Sequence, residues 1–218
     1  MWYDVAARLE TNDLSMYLLD FRGCGLSDRP REGHDLDGYA GDLRAALAAI
    51  DGPVTLVAHS MGAKLAQYVA AERPENLERM ILVAPGTAKA TRFPAKHRAL
   101  TLEAYGSRER IERFQRAAMA REPRAESMLR TVDDALIAQY EHWIGWYDRG
   151  RGIAFEERLS EIAVPTLVLG GAKDPLALPS RVKHDCANAI PGALFVLLRD
   201  AGHNLPIEAP DDVAAAIR

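Results

Sequence analysis

Ala58-His59-Ser60-Met61-Gly62 follows the short apolar run Val54-Thr55-Leu56-Val57 and opens a helical pattern from Ala63 to Arg73. A serine between small residues at a strand-to-helix turn presents its hydroxyl as a nucleophile, and the turn is tight enough that the positions two before and two after are expected to tolerate almost no side chain. Those positions are Ala58 and Gly62. Two later residues, in a particular order, raise the weight of the pentapeptide. Asp174 stands after a second apolar run, Thr166 to Leu169, and His203 after a third, Leu194 to Leu198.

Working outward, the chain alternates helices and strands. Trp2, Val5, Ala6 and Leu9 recur at helical spacing, so residues 1–10 read as an amphipathic helix. Ser15 to Asp20 reads as a strand, and Phe21 to Pro30 as a glycine-bearing loop. Tyr39, Leu43, Leu47 and Ile50 share one helix face ending near Asp51-Gly52-Pro53. Strand 54–58, the serine turn and its helix come next, then a strand at Met80 to Val83. Pro210 with Asp211 and Asp212 starts a last helix, its acids at the positive end of the dipole. The expected class is α/β, a mainly parallel sheet with helices on both faces.

Residues 87–152 interrupt this alternation and read as helical throughout, an insertion between sheet strands. The expected organisation is a core of 1–86 and 153–218 with a helical lid at 87–152. From Thr87 to Arg130 there are eleven Lys and Arg against five Asp and Glu. Solvated helix faces are the favoured account of these charges; the sharper one is a cationic mouth drawing anionic substrates. Tyr140, Trp143, Ile144 and Tyr147 form an apolar face at helical spacing. It is read first as a packing face, with Trp143 and Tyr147 as candidates to touch substrate if the insertion covers a cleft.

Bulk properties narrow the function classes. The 218 residues fit one domain with an insertion, and 48% hydrophobic content suffices for a packed core. A net charge of −4 argues against a general nucleic-acid binder. Cys24 and Cys186 make neither a disulfide framework nor a metal spacing. The histidines His34, His97, His142 and His184 also lack metal-ligand spacing, and His184-Asp185 as a metal pair is a remote option. No apolar run approaches the ~20 residues of a membrane span, and Met1-Trp2-Tyr3-Asp4 lacks the basic and apolar regions of a signal peptide. The expectation is a cytoplasmic protein with no cofactor, metal, nucleic-acid or membrane partner.

A serine hydroxyl is a poor nucleophile near neutral pH and needs a base within hydrogen-bond reach. Histidine suits that role, and a buried carboxylate then holds the imidazole tautomer. Ser60, Asp174 and His203 each lie just past the end of an apolar strand, and the C-terminal ends of parallel strands share one edge, so three such loops can converge. His59 is expected to point away at the turn and is given no chemical role.

The order Ser, Asp, His, the run Asp20-Phe21-Arg22-Gly23-Cys24-Gly25-Leu26-Ser27-Asp28-Arg29-Pro30, the serine pentapeptide and Gly202-His203-Asn204-Leu205-Pro206-Ile207-Glu208-Ala209-Pro210 together resemble the α/β-hydrolase superfamily, in its lidded esterase, lactonase and perhydrolase-like branch. The resemblance covers nearly the whole chain. It implies a catalytic triad with Ser60 as nucleophile, His203 as general base then acid, Asp174 as orienting carboxylate and the Met61 N–H as one oxyanion donor. The implied reaction is cleavage of a small or medium carboxylic ester or lactone through an acyl-serine intermediate. Perhydrolysis and carbon–carbon bond hydrolysis share the same residues and stay open, as does a non-catalytic relative acting as a binding protein.

The resemblance also aligns residues 1–10 with the helix after the family's third strand. That strand, and the His-Gly-rich loop that carries the second oxyanion N–H, have no counterpart in these residues. Losing one such donor costs on the order of 3 kcal/mol in the transition state. Three expectations compete: a longer reading of the protein, a sheet closed by bringing 15–20 beside 54–58, or completion by another chain. On this basis weak turnover is expected of the 218-residue chain.

Overall fold

The computed structural model describes residues 1–10, 14–92 and 95–218, and leaves out the side chain of His97. Four parallel strands form one sheet in the order β1 (Val54–His59), β2 (Leu77–Val83), β3 (Thr166–Gly171) and β4 (Leu194–Leu198). Parallel neighbours need crossover connections, which is why helices separate them. Helix α1 (Tyr3–Leu9) and α2 (Leu36–Ala48) precede the sheet, and α3 (Met61–Ala70) links β1 to β2. Between β2 and β3 run α4 (Ala95–Ala104), α5 (Arg108–Ala117), α6 (Ala125–Leu136), α7 (Tyr140–Gly145) and a π-helical turn at Trp146–Gly150. Helix α8 (Pro179–Val182) lies between β3 and β4, and α9 (Leu205–Glu208) and α10 (Pro210–Ile217) close the chain.

The two-residue period of a strand divides β2 between two cores. Met80 and Leu82 pack with α2 and α3 on one face, whereas Ile81 and Val83 pack with α1, α9 and α10 on the other. All four side chains are fully buried. This is the signature of a sheet covered on both sides, and it explains the unbroken apolar run in the sequence. The helical insertion has a small core of its own from Ala104, Ile111, Met128 and Val132, with Trp143 packed against it.

One expected strand does not form. Residues 14–20 have no regular secondary structure, and Leu14, Tyr17 and Leu18 are more than half exposed. Nor do they move beside β1, whose partner is β2. A single extended segment gains no ladder hydrogen bonds and no packed face, so apolar composition alone cannot make it a strand. The loop after it is nevertheless well held. Arg22 forks onto Asp42 of α2 through two bonds of 2.6 Å, and Asp20 Oδ2 accepts from the Leu26 N–H.

The insertion is tied to the core at both crossings by one side chain. Lys64 of α3, 2% exposed, donates to the carbonyls of Lys89, Arg151 and Ile153 at 3.1, 3.2 and 2.7 Å. Burial pulls its ammonium down to about 8, and the three carbonyl dipoles satisfy its donors. A second tie is aromatic and polar. Tyr39 Oη of α2 lies 3.1 Å from His34 Nδ1 and 2.8 Å from His142 Nδ1 of α7.

Candidate active site

Ser60 sits where β1 ends and α3 begins, with φ 50° and ψ −112°. A non-glycine residue at positive φ is strained, and such strain is found where a side chain must be aimed. The backbone around it is pinned. Its N–H donates to Val83 O at 3.0 Å, and its carbonyl accepts from Ala63, Lys64 and Gly86. Helix α3 starts at Met61, whose N–H, in the first turn, lies at the positive end of the helix dipole and outside the helix's own hydrogen-bond ladder.

The turn is roomier than expected. A Cβ at Gly62 would meet Phe21 Cζ at 3.5 Å and the Ala58 methyl at 4.0 Å, both ordinary contacts. The close approaches lie elsewhere. A Cβ at Gly171 would stand 1.9 Å from Gly202 O, and one at Gly202 would stand 2.6 Å from Ala118 O. Glycine is therefore required where the His203 loop presses on the end of β3 and on the 118–120 turn, not at Gly62.

The three loops meet. His203 Nε2 lies 2.9 Å from Ser60 Oγ, and His203 Nδ1 lies 2.8 Å from Asp174 Oδ2. Asp174 is 3% exposed and His203 6%. The other Asp174 oxygen, Oδ1, accepts from the Leu176 and Ala177 N–H groups at 2.7 and 2.8 Å. A carboxylate so held has one oxygen left for the imidazole, which places the Nδ1 proton toward Asp174 and leaves Nε2 as the acceptor for the serine proton. This constellation can take a proton from a hydroxyl, store it on a buried imidazole and return it to a leaving group.

Two residues complete the support, and sequence reasoning passes over both. His59 does not turn into empty space: its Nε2 donates to the His203 carbonyl at 2.9 Å, and the two rings lie 5.0 Å apart. Burial, and secondarily the neighbouring His203, push the His59 imidazole down to about 3, so it stays neutral. Glu208 accepts the Gly202 N–H at 2.9 Å and those of Ala120 and Arg121 at 2.9 and 3.0 Å.

The remaining candidates find other partners. Trp143 packs edge-on to Tyr105 within the insertion, and Tyr147 lies under the Arg151 guanidinium at 5.3 Å. Eight of the basic side chains between 87 and 130 form ion pairs, among them Arg98–Asp148, Arg108–Asp133 and Arg121–Asp212. Their charge is spent locally, which favours solvated faces over a cationic mouth. His184 pairs with Asp185, whose Oδ1 also accepts from Lys89. Among the described residues no helix is long and apolar enough to cross a membrane, and no cluster of three or more His, Cys, Asp or Glu could hold a metal.

Comparison with known proteins agrees with the architecture. Residues 1–216 match the family model described as the alpha/beta hydrolase family. An uncharacterized protein of Mycobacterium tuberculosis is 27% identical over 228 residues, covering 93% of this chain and 65% of its own length. The chain thus spans about two thirds of the mycobacterial relatives it matches. A non-heme chloroperoxidase of Streptomyces lividans is 30% identical over 185 residues, covering 71% of this chain and 62% of that protein. Among solved structures, the esterase from Exiguobacterium antarcticum superposes with a TM-score of 0.78 at 20% identity, over 91% of this chain and 78% of that one. With the sheet, the serine turn and the family match in agreement, this chain belongs to the alpha/beta hydrolase family.

Proposed function

We propose that the chain is a serine hydrolase that cleaves small or medium carboxylic esters or lactones through an acyl-serine intermediate. The observation that carries this reading is the pair of contacts on His203, 2.9 Å to Ser60 Oγ and 2.8 Å to Asp174 Oδ2. In the first half-reaction His203 Nε2 takes the Ser60 proton as Oγ attacks the carbonyl carbon. The tetrahedral oxyanion collects at the N-terminus of α3, where the Met61 N–H stabilises it. Collapse breaks the C–O bond, and His203 returns the proton to the leaving alkoxide. Water then attacks the acyl-serine, gives its proton to His203, and releases the acid with Ser60 restored.

The helical insertion 87–152 serves as a lid over this rim, anchored at both crossings by Lys64. Trp143 and Tyr147 belong to its packing in this reading, consistent with their contacts to Tyr105 and Arg151. A panel of p-nitrophenyl esters and aliphatic lactones, assayed with the chain and with Ser60→Ala, tests the proposal. Turnover that vanishes in the variant supports it. A folded chain that turns over none of them counts against it.

A second reaction has one observation in its favour, the likeness to a non-heme chloroperoxidase. Perhydrolysis uses the same acyl-serine, with hydrogen peroxide replacing water in the second half-reaction. Peracid formation from acetate and peroxide, measured by halide oxidation, separates the two.

A further inference from the structure

Glu208 is a carboxylate that the proposed reaction does not use. It is 6% exposed, and no ion pair holds it among the described residues. Its Oε2 gathers three backbone N–H groups from two places. Gly202 belongs to the loop of His203, and Ala120 and Arg121 belong to the turn between α5 and α6. The same two segments are joined by further bonds. His203 N–H donates to Ala118 O at 2.7 Å, and Asn204 Nδ2 donates to Gln115 Oε1 at 2.8 Å. They also touch backbone to backbone, since a Cβ at Gly202 would stand 2.6 Å from Ala118 O and 2.9 Å from Ala120 N.

A buried carboxylate is costly to desolvate and persists where its hydrogen bonds order something. Here the ordered objects are the loop carrying the imidazole and one end of the helical insertion. We propose that Glu208 is a positioning residue for His203, clamping the 118–121 turn of the insertion to the histidine loop so that this end of the lid and the general base hold station as one body. The end near α7 is held differently, by Tyr39 Oη on His142 and by the Gln139 N–H on the Gly23 carbonyl, and none of these bonds reaches the histidine loop. The inference rests on the serine-hydrolase reading for its effect on rate, while the clamp itself is independent of that reading.

Three variants test it: Glu208→Ala, Glu208→Gln and Ala120→Pro, the last replacing the Ala120 N–H with a ring carbon against Oε2, which removes that donor and pushes the turn away from the histidine loop. The measurements are kcat and KM on p-nitrophenyl acetate and the ring resonances of His203 in ¹H–¹⁵N spectra. Displacing the base slightly is expected to lower kcat by about tenfold to a hundredfold in Glu208→Ala with KM little changed. Glu208→Gln is expected to recover most of that loss, because its amide oxygen still accepts. Ala120→Pro is expected to lower kcat and shift the His203 resonances, although it lies in the insertion. A folded Glu208→Ala with unaltered kcat and unaltered His203 resonances overturns the proposal. If that variant does not fold, Ala120→Pro decides, and unchanged kcat and resonances there overturn it. If the unsubstituted chain turns over no ester, the hydrolase reading is what fails, and the His203 resonances alone decide the clamp.

Discussion

His203 Nε2 stands 2.9 Å from Ser60 Oγ although 143 positions separate them in the chain. The parallel sheet accounts for this. β1 and β4 run the same way, so the residues just past their ends share one rim. Asp174 enters from β3 between them and binds the opposite nitrogen of the ring.

The role of Asp174 is open to a near-isosteric test. In Asp174→Asn the amide oxygen still accepts from Leu176 and Ala177, so the turn survives. The amide NH₂ then faces Nδ1 and turns the imidazole to the wrong tautomer. Ester turnover is expected to fall by about 10⁴-fold with the fold intact. Steady-state kinetics beside a thermal melt check this.

Acid should destabilise the fold through two neutral histidines. Burial pushes His59 down to about 3 and His142 down to about 4, both below the ordinary value of 6.5. The unfolded chain takes up these protons below pH 6.5, while the folded chain refuses them until pH 4 and pH 3. Stability from this source is therefore complete above pH 6.5 and is lost as the pH falls through that window. The slope is at most about 1.4 kcal/mol per pH unit for each histidine. Urea unfolding of His142→Gln at pH 7 and pH 4.5 should show a smaller drop than the unsubstituted chain; equal drops would contradict the account.

Two glycine substitutions should behave oppositely. Gly62→Ala adds a methyl in ordinary contact with Phe21, inside a helix, and is expected to keep the fold with a change of about 1 kcal/mol or less. Gly171→Ala drives a methyl to 1.9 Å from the Gly202 carbonyl, which must move the histidine loop. Loss of turnover and a lowered melting temperature are expected for the second alone.

Lys64→Met should loosen the helical insertion. The substitution keeps most of the apolar stem and strips a charged donor from the carbonyls of Lys89, Arg151 and Ile153. A loss of about 1–3 kcal/mol is expected. Limited proteolysis should then cut earlier between residues 89 and 153, at the crossings rather than in the sheet.

Much of this is legible in the residues because burial on two faces leaves a clear trace. The runs at 54–58, 80–83, 166–169 and 194–198 all form strands, and Ser60, Asp174 and His203 each lie just after one of them. Ser15 to Asp20 shows the limit. Met16-Tyr17-Leu18-Leu19 has strand composition, but a ladder depends on what lies beside it. The serine turn reads as tighter than it is because room at Gly62 depends on where Phe21 sits. The roles of His59 and Glu208 are hidden for a related reason. Each binds backbone groups far away in the chain, and backbone partners leave no side-chain pattern to read.

The most direct test of the central claim is covalent labelling with a fluorophosphonate, followed by intact mass and peptide mapping. The account predicts one adduct, on Ser60, formed rapidly in the unsubstituted chain and at least about a hundredfold more slowly in a folded His203→Ala variant. A folded chain that takes up no label, or takes it up on Ser60 equally fast without His203, would contradict it.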